Sequence, residues 1–312
     1  MSTAFFTHTE CRGHDMGRGH PESPQRLDAI EDHLLAVGLD VALARREAPL
    51  VELAHVGFAH SAGYVSELSD VLAQVASTGQ HHTLDPDTSA SAGTWNAVRR
   101  GAGAAVAATR GVLDGEFENA FCSVRPPGHH ATRSRAMGFC FFNNVAIAAR
   151  HALDVHGLQR VAIIDFDVHH GNGTEDIVAG DERMLMCSFF QHPLYPYSGT
   201  RPLGTNMVNV PVAPYTRGPA VRQAIQDQWL PALERFEPQM IFISAGFDAH
   251  REDDLGQMGL VEDDYAWITR TLLAVAKKHA QGRIVSCLEG GYNLSALARS
   301  VAAHLRVLAD VD

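Results

Sequence analysis

Apolar residues gather into short dense runs at Ala4 to Thr7, Ala120 to Val124, Val161 to Ile164, Met184 to Phe189, Val208 to Val212, Met240 to Ser244 and Ile284 to Leu288. Their length and their β-branched and aromatic content predict strands buried on both faces. Between most of them, apolar positions recur at helical spacing, as in Gly93 to Leu113, Asn144 to His156, Gly218 to Phe236, Glu262 to His279 and Leu294 to Leu308. Strand and helix therefore alternate, and right-handed crossovers gather such units into a mostly parallel sheet with helices on both faces. The predicted fold class is α/β, a single three-layer αβα domain spanning residues 1–312. Ligands of such sheets sit beyond the carboxyl ends of the strands, so the polar residues that follow each run are the candidate chemistry.

Composition narrows the picture. A chain of 312 residues, 46% of them hydrophobic, can bury one large core. It carries no repeat of fixed period and no linker-like tract, which favours one compact unit. A net charge of −11 argues against nucleic acid as a partner and mildly favours a cationic substrate. Cys11, Cys122, Cys140, Cys187 and Cys287 are scattered and odd in number, as expected of reduced thiols. With no signal-like N-terminus and no run of 18 apolar residues, the expectation is a cytoplasmic protein that does not engage a membrane. Oligomeric state leaves no readable trace.

Four strand ends carry unusual chemistry. The run VAIIDFDVHHGNG, Val161 to Gly173, starts as a buried strand and then sets Asp165, Asp167, His169 and His170 within six residues. Carboxylates at a buried strand end lose hydration and need a compensating cation. If the strand stays extended, Asp165, Asp167 and His169 share one side and can offer a carboxylate and an imidazole to one ion. A second run, MIFISAGFDAH, ends on small residues and then Asp248, which completes a set of two carboxylates and one imidazole. Such a set suits a catalytic ion that keeps a position open for water. The third run leads through Pro126, Pro127 and Gly128 to the tandem His129 and His130, residues suited to acid–base work near neutral pH. The fourth, CLEGGYNL, sends Tyr292 past two glycines, where a phenol can donate to an oxyanion.

Together, PPGHHA, GFCFFNN, DFDVHHGNG, SAGFDAH and EGGYNL occur in an order that strongly resembles the zinc-dependent histone deacetylase family, in its class II-like and bacterial amidohydrolase branch. The opening HPESPQRL, His20 to Leu27, is similar to that family's beginning. The resemblance spans nearly the whole chain and implies an arginase/deacetylase fold. It implies that Asp167, His169 and Asp248 bind Zn²⁺, with Fe²⁺ admissible on the same ligands. His129 and His130 would serve the attacking water, Asp165 would orient His129, and Tyr292 would polarise the carbonyl. Asn172 stands where class I relatives carry aspartate, which should lower the pKa of His130 relative to an aspartate-paired ring.

By the same resemblance, Asp165, Asp167, His169 and Ser188 would surround a structural K⁺, and Arg26 would line a cavity for acetate release. Gly138 and Phe139 would form one wall of the acyl channel and Tyr195 the other. Leu255 falls where acetylpolyamine deacetylases carry a gatekeeper glutamate, so acyl-lysine in a peptide or protein is the favoured substrate. The alternative is an acetylpolyamine or other small amide. An arginase-like hydrolase with two metal ions is disfavoured, because Gly171 and Gly246 stand where extra carboxylates would be needed. A non-catalytic acyl-binding protein is disfavoured because every ligand and the tyrosine are retained.

Overall fold

A computed structural model describes residues 2–311. Its strands are β1 (Thr3–Thr7), β2 (Leu43–Glu47), β3 (His82–Asp85), β4 (Thr88–Ala90), β5 (Asn119–Cys122), β6 (Val161–Asp165), β7 (Met184–Gln191), β8 (Met207–Val212), β9 (Met240–Ala245) and β10 (Ile284–Leu288). Eight of them form one parallel sheet in the order β2-β1-β5-β10-β9-β6-β7-β8, and β3 and β4 pair as a separate antiparallel hairpin. The apolar runs thus mark seven of the eight sheet strands. The eighth, β2, is an edge strand of sequence LARRE that buries only Leu43 well, so it lacks the apolar run of its neighbours.

The main helices are α1 (Gln25–Ala36), α2 (Leu53–Val56), α3 (Ala62–Thr78), α4 (Thr94–Leu113), α5 (Asn144–Asp154), α6 (Asn172–Val178), α7 (Gly218–Ala224), α8 (Leu230–Phe236), α9 (Glu262–His279) and α10 (Leu294–Leu308). Local chemistry sets their ends. Ser61, Asn143 and Asn293 accept the backbone N–H groups of Tyr64, Ala146 and Ala296 as N-caps of α3, α5 and α10. Helix α9 opens on Glu262, Asp263 and Asp264 and closes on Lys277, Lys278 and His279, charges that complement its dipole. Between α7 and α8 a π-turn at Ile225–Trp229 buries Trp229 without breaking the helical path.

Helices α1, α10 and α9 pack side by side, and α4 packs on α5. The sheet between these layers is fully buried along β5, β6, β9 and β10. Those four strands are neighbours in the sheet order, and each ends in one of the four polar segments singled out above. The chemistry of distant sequence segments is thereby delivered to one edge of the sheet.

Under that edge lies a buried charge cluster. Glu22, with no exposed surface, accepts from Arg125 Nη2 at 2.6 Å and from Arg26 Nη1 at 3.3 Å, with His14 Nε2 at 3.5 Å. Burial opposes its charge, but Arg125, His14 and Arg26 hold the carboxyl down at about 2. Removing it strands two buried guanidinium groups. Glu22→Ala is therefore expected to destabilise the fold by about 3–5 kcal/mol, measured as a lower denaturant midpoint. An unchanged midpoint would mean the cluster contributes nothing.

Candidate metal and catalytic site

The backbone leaves the β geometry after Asp165. Residues 167–169 form bends, with Asp167 N–H on Asp165 Oδ1 at 3.1 Å and His169 N–H on Asp167 Oδ1 at 2.8 Å. Strand alternation therefore does not place this D-x-D-x-H segment, contrary to the extended-chain expectation. Two carboxylates each capture the N–H two residues on, and this turn chemistry separates the roles. Asp165 faces His129, while Asp167 and His169 face Asp248.

His169 Nδ1 lies 3.0 Å from Asp167 Oδ1 and 3.1 Å from Asp248 Oδ2. One ligand atom from each of Asp167, His169 and Asp248 falls within 4.8 Å of the others, and among the described residues no other His, Cys, Asp or Glu group meets that test. All three are buried. Burial opposes the charge of His169, but the carboxylates of Asp167 and Asp248 raise its pKa to about 10. Burial and the neighbouring Asp167 push Asp248 up to about 7. Two buried carboxylates thus compete for one positive charge, and a divalent cation satisfies that demand better than one proton. The donor set of two oxygens and one nitrogen fits a catalytic zinc-type site.

Surrounding backbone holds the carboxylates in place. Gly290 N–H donates to Asp167 Oδ2 at 2.8 Å, and Val168 N–H donates to Asp248 Oδ1 at 2.9 Å. A Cβ on Gly246 would fall on the Asp167 carboxylate, and one on Gly171 on Asp165. These are the two positions where a second metal ion would need carboxylates, and neither has room for a side chain. Gly246→Ala should displace Asp167 and weaken metal affinity by roughly 10- to 100-fold, the usual cost of disturbing a ligand's support. Equilibrium metal titration measures this, and unaltered affinity would show that the carboxylate has another place to go.

The histidine pair stands beside these ligands. His129 Nδ1 meets Asp165 Oδ2 at 3.0 Å, and His130 Nδ1 meets Asn172 Oδ1 at 2.8 Å. The two rings are 4.0 Å apart, and His129 Nε2 is 3.9 Å from Asp167 Oδ2. Burial opposes a charge on His129, yet Asp167, Asp165 and Glu289 outweigh it and hold the ring well above the ordinary histidine range. Burial, with the nearby His129 and His169, drives His130 well below that range, and Asn172 offsets this only in part. The low value of His130 thus arises first from burial. Because Asn172 Oδ1 can only accept, His130 carries its proton on Nδ1 and leaves Nε2 as a free base.

Tyr292 follows β10, with its ring 5.9 Å from Phe139 and 5.0 Å from the Arg26 guanidinium. Burial keeps the phenol protonated, well above its ordinary pKa. Arg26 donates to the carbonyls of Glu289 at 2.5 Å and Gly291 at 2.7 Å, so it braces the tyrosine loop from below. Tyr195 sits across the site, 5.2 Å from the His130 ring and 6.4 Å from that of His169, with its hydroxyl buried and unpartnered. Phe139 adopts a positive φ of 70° beside Gly138 at 56°, and a Cβ on Gly138 would meet the His130 ring at 2.5 Å. Leu255 is half-buried on the loop that follows Asp248. Ser188 is buried directly opposite Asp165 in the β6–β7 register.

Two residues with clear work here have no role in the sequence reading. Glu289 is buried and accepts from Gly128 N–H at 2.6 Å, His129 N–H at 3.1 Å and Ser244 Oγ at 3.1 Å. It joins the ends of β5, β9 and β10, and its signal is the one that marked Asp248, a carboxylate just past a buried run. Asp253 is buried inside the acidic stretch Glu252 to Asp254, where nothing distinguishes it from its exposed neighbours.

The central strand ends of this parallel α/β sheet bring together a buried trio with the donor set of a metal site, a histidine pair and a protonated phenol, a set suited to hydrolysis. Comparison with known proteins agrees. The Histone deacetylase domain family matches residues 20–308. A histone deacetylase-like amidohydrolase of Pseudomonas aeruginosa is 38% identical over 318 residues, covering 93% of this chain and 82% of that protein. Polyamine deacetylase HDAC10 of Mus musculus is 36% identical over 330 residues, covering 99% of this chain and 48% of its own. A solved structure described as the HDA15 HD domain superposes with a TM-score of 0.91 at 32% identity, covering 99% of this chain and 90% of that one. The chain belongs to the histone deacetylase family.

Proposed function

We propose that the protein is a zinc-dependent deacetylase that hydrolyses an N-ε-acyl-lysine amide, with Fe²⁺ as a possible replacement ion. The observation that carries this reading is the buried Asp167, His169 and Asp248 trio beside a His130 ring whose Nδ1 is held by Asn172. Bound there, the ion supplies Lewis acidity to the acyl carbonyl and lowers the pKa of water. His130 takes the water proton at Nε2 as the new C–O bond forms, and returns it to the nitrogen as the C–N bond breaks. His129, fixed by its Nδ1 contact with Asp165, and the Tyr292 O–H donate to the oxygen that gains charge. The products are a free amine and a short carboxylate, with Arg26 beside a route for the acid.

Phe139 and Tyr195 supply the channel walls, and the half-buried Leu255, rather than a carboxylate, stands at the rim. A leucine at that position offers no partner to a polyamine's second ammonium, which favours a lysine side chain. A structural K⁺ among Asp165, Asp167, His169 and Ser188 is supported by the Asp165–Ser188 register. All five cysteines are buried and unpaired, which suits a reducing compartment such as the cytoplasm. Among the described residues no helix is long and apolar enough to cross a membrane.

A panel of acetyl-lysine peptides, longer acyl-lysine peptides, acetylpolyamines and simple amides tests the substrate. Acyl-lysine peptides should show the highest kcat/KM, and a preference for acetylpolyamine would reassign it. A second test concerns Asn172. An aspartate beside His130 favours the charged ring, so Asn172→Asp should raise its pKa and move the acid limb of the activity profile to higher pH. Ring ¹⁵N titration checks the sign, and a limb that stays put would remove His130 as the base.

A further inference from the structure

Asp253 is 6% exposed and uses both carboxylate oxygens on backbone donors. Oδ1 accepts from Leu255 N–H at 3.0 Å, while Oδ2 accepts from Tyr292 N–H at 2.6 Å and Asn293 N–H at 3.0 Å. One side chain therefore ties the channel rim to the loop that carries the phenol. Its own segment is anchored on both sides. Asp253 N–H bonds His250 O at 2.9 Å, Arg251 N–H bonds Leu260 O at 2.9 Å, and Leu260 N–H bonds Ala249 O at 3.1 Å. Arg26 grips the carbonyls of Glu289 and Gly291. The tyrosine loop is thus clamped on its acceptors by a cation and on its donors by an anion. Asn293 then caps α10 through Ala296 N–H.

We propose that Asp253 is a positioning residue that sets the place of the Tyr292 hydroxyl and links it to the rim at Leu255. This rests on the deacetylase reading above. An asparagine at 253 offers one acceptor oxygen in place of two, so it can serve Leu255 or the tyrosine loop but not both. Small displacements of a catalytic group are costly, of order 10²-fold for about 1 Å.

The test is a double-mutant cycle on the metal-loaded protein, with kcat, KM and thermal midpoint measured on an acetyl-lysine peptide. Asp253→Asn should lower kcat by roughly 10- to 100-fold with an unchanged metal stoichiometry. In a Tyr292→Phe background the same change should cost less than about twofold, because the group it positions is already gone. If Asp253→Asn fails to fold, Asp253→Glu, which keeps both acceptors at a different reach, replaces it in the same cycle. Equal losses in both backgrounds would overturn the proposal, as would full kcat in the single variant. An inactive wild-type protein with its metal bound would instead overturn the deacetylase reading, so the two failures are distinct.

Discussion

Asp248→Asn is expected to fold as the parent does, to lose high-affinity metal binding and to lose about 10³-fold or more in kcat/KM. The asparagine keeps the acceptor for Val168 N–H and the volume of the side chain. It removes one of two buried negative charges that face His169. The remaining Asp167–His169 pair is then neutral overall, so the apo fold gains rather than loses electrostatic balance. What disappears is the demand for a divalent ion, together with the several kcal/mol of charge stabilisation such an ion gives the carbonyl, about tenfold in rate for every 1.4 kcal/mol. Metal content by mass spectrometry and peptide turnover read the two halves separately. A variant that keeps its ion and its rate would show that Asp248 is no ligand.

Tyr292→Phe should lower kcat by roughly 10²- to 10³-fold while KM moves little. The ring keeps its contacts with Phe139 and Arg26, and the loop keeps its backbone bonds to Asp253, because neither depends on the hydroxyl. Only the donor to the developing oxyanion is lost. A drop confined to KM would mean that the phenol binds substrate without stabilising the transition state.

Sequence made the central strands legible because a parallel strand covered on both faces must be apolar along its length. It made the reactive loops legible for the converse reason. Ionisable residues at the ends of such strands or in the buried segments that follow them, as at Asp165, Asp248 and His129, lie where hydration is lost, and only function or a partner accounts for them. Edge and rim elements obey neither rule. Strand β2 and the β3–β4 hairpin are polar and partly exposed, so no apolar run marks them. The turn that splits Asp165 from Asp167 depends on side-chain capture of backbone N–H groups, which periodicity does not register. Asp253 shows the same limit. Flanked by Glu252 and Asp254, it reads as one charge of a solvated run, and only the approach of the β10 loop, some forty residues later in sequence, gives it a role.

Metal titration of the chelator-stripped protein, followed by peptide turnover, tests the central claim most directly. One equivalent of Zn²⁺ per chain should restore activity in proportion to occupancy, and the stripped protein should hydrolyse nothing above background. Undiminished turnover by the stripped protein, or a requirement for two equivalents, would contradict the single-ion site of Asp167, His169 and Asp248.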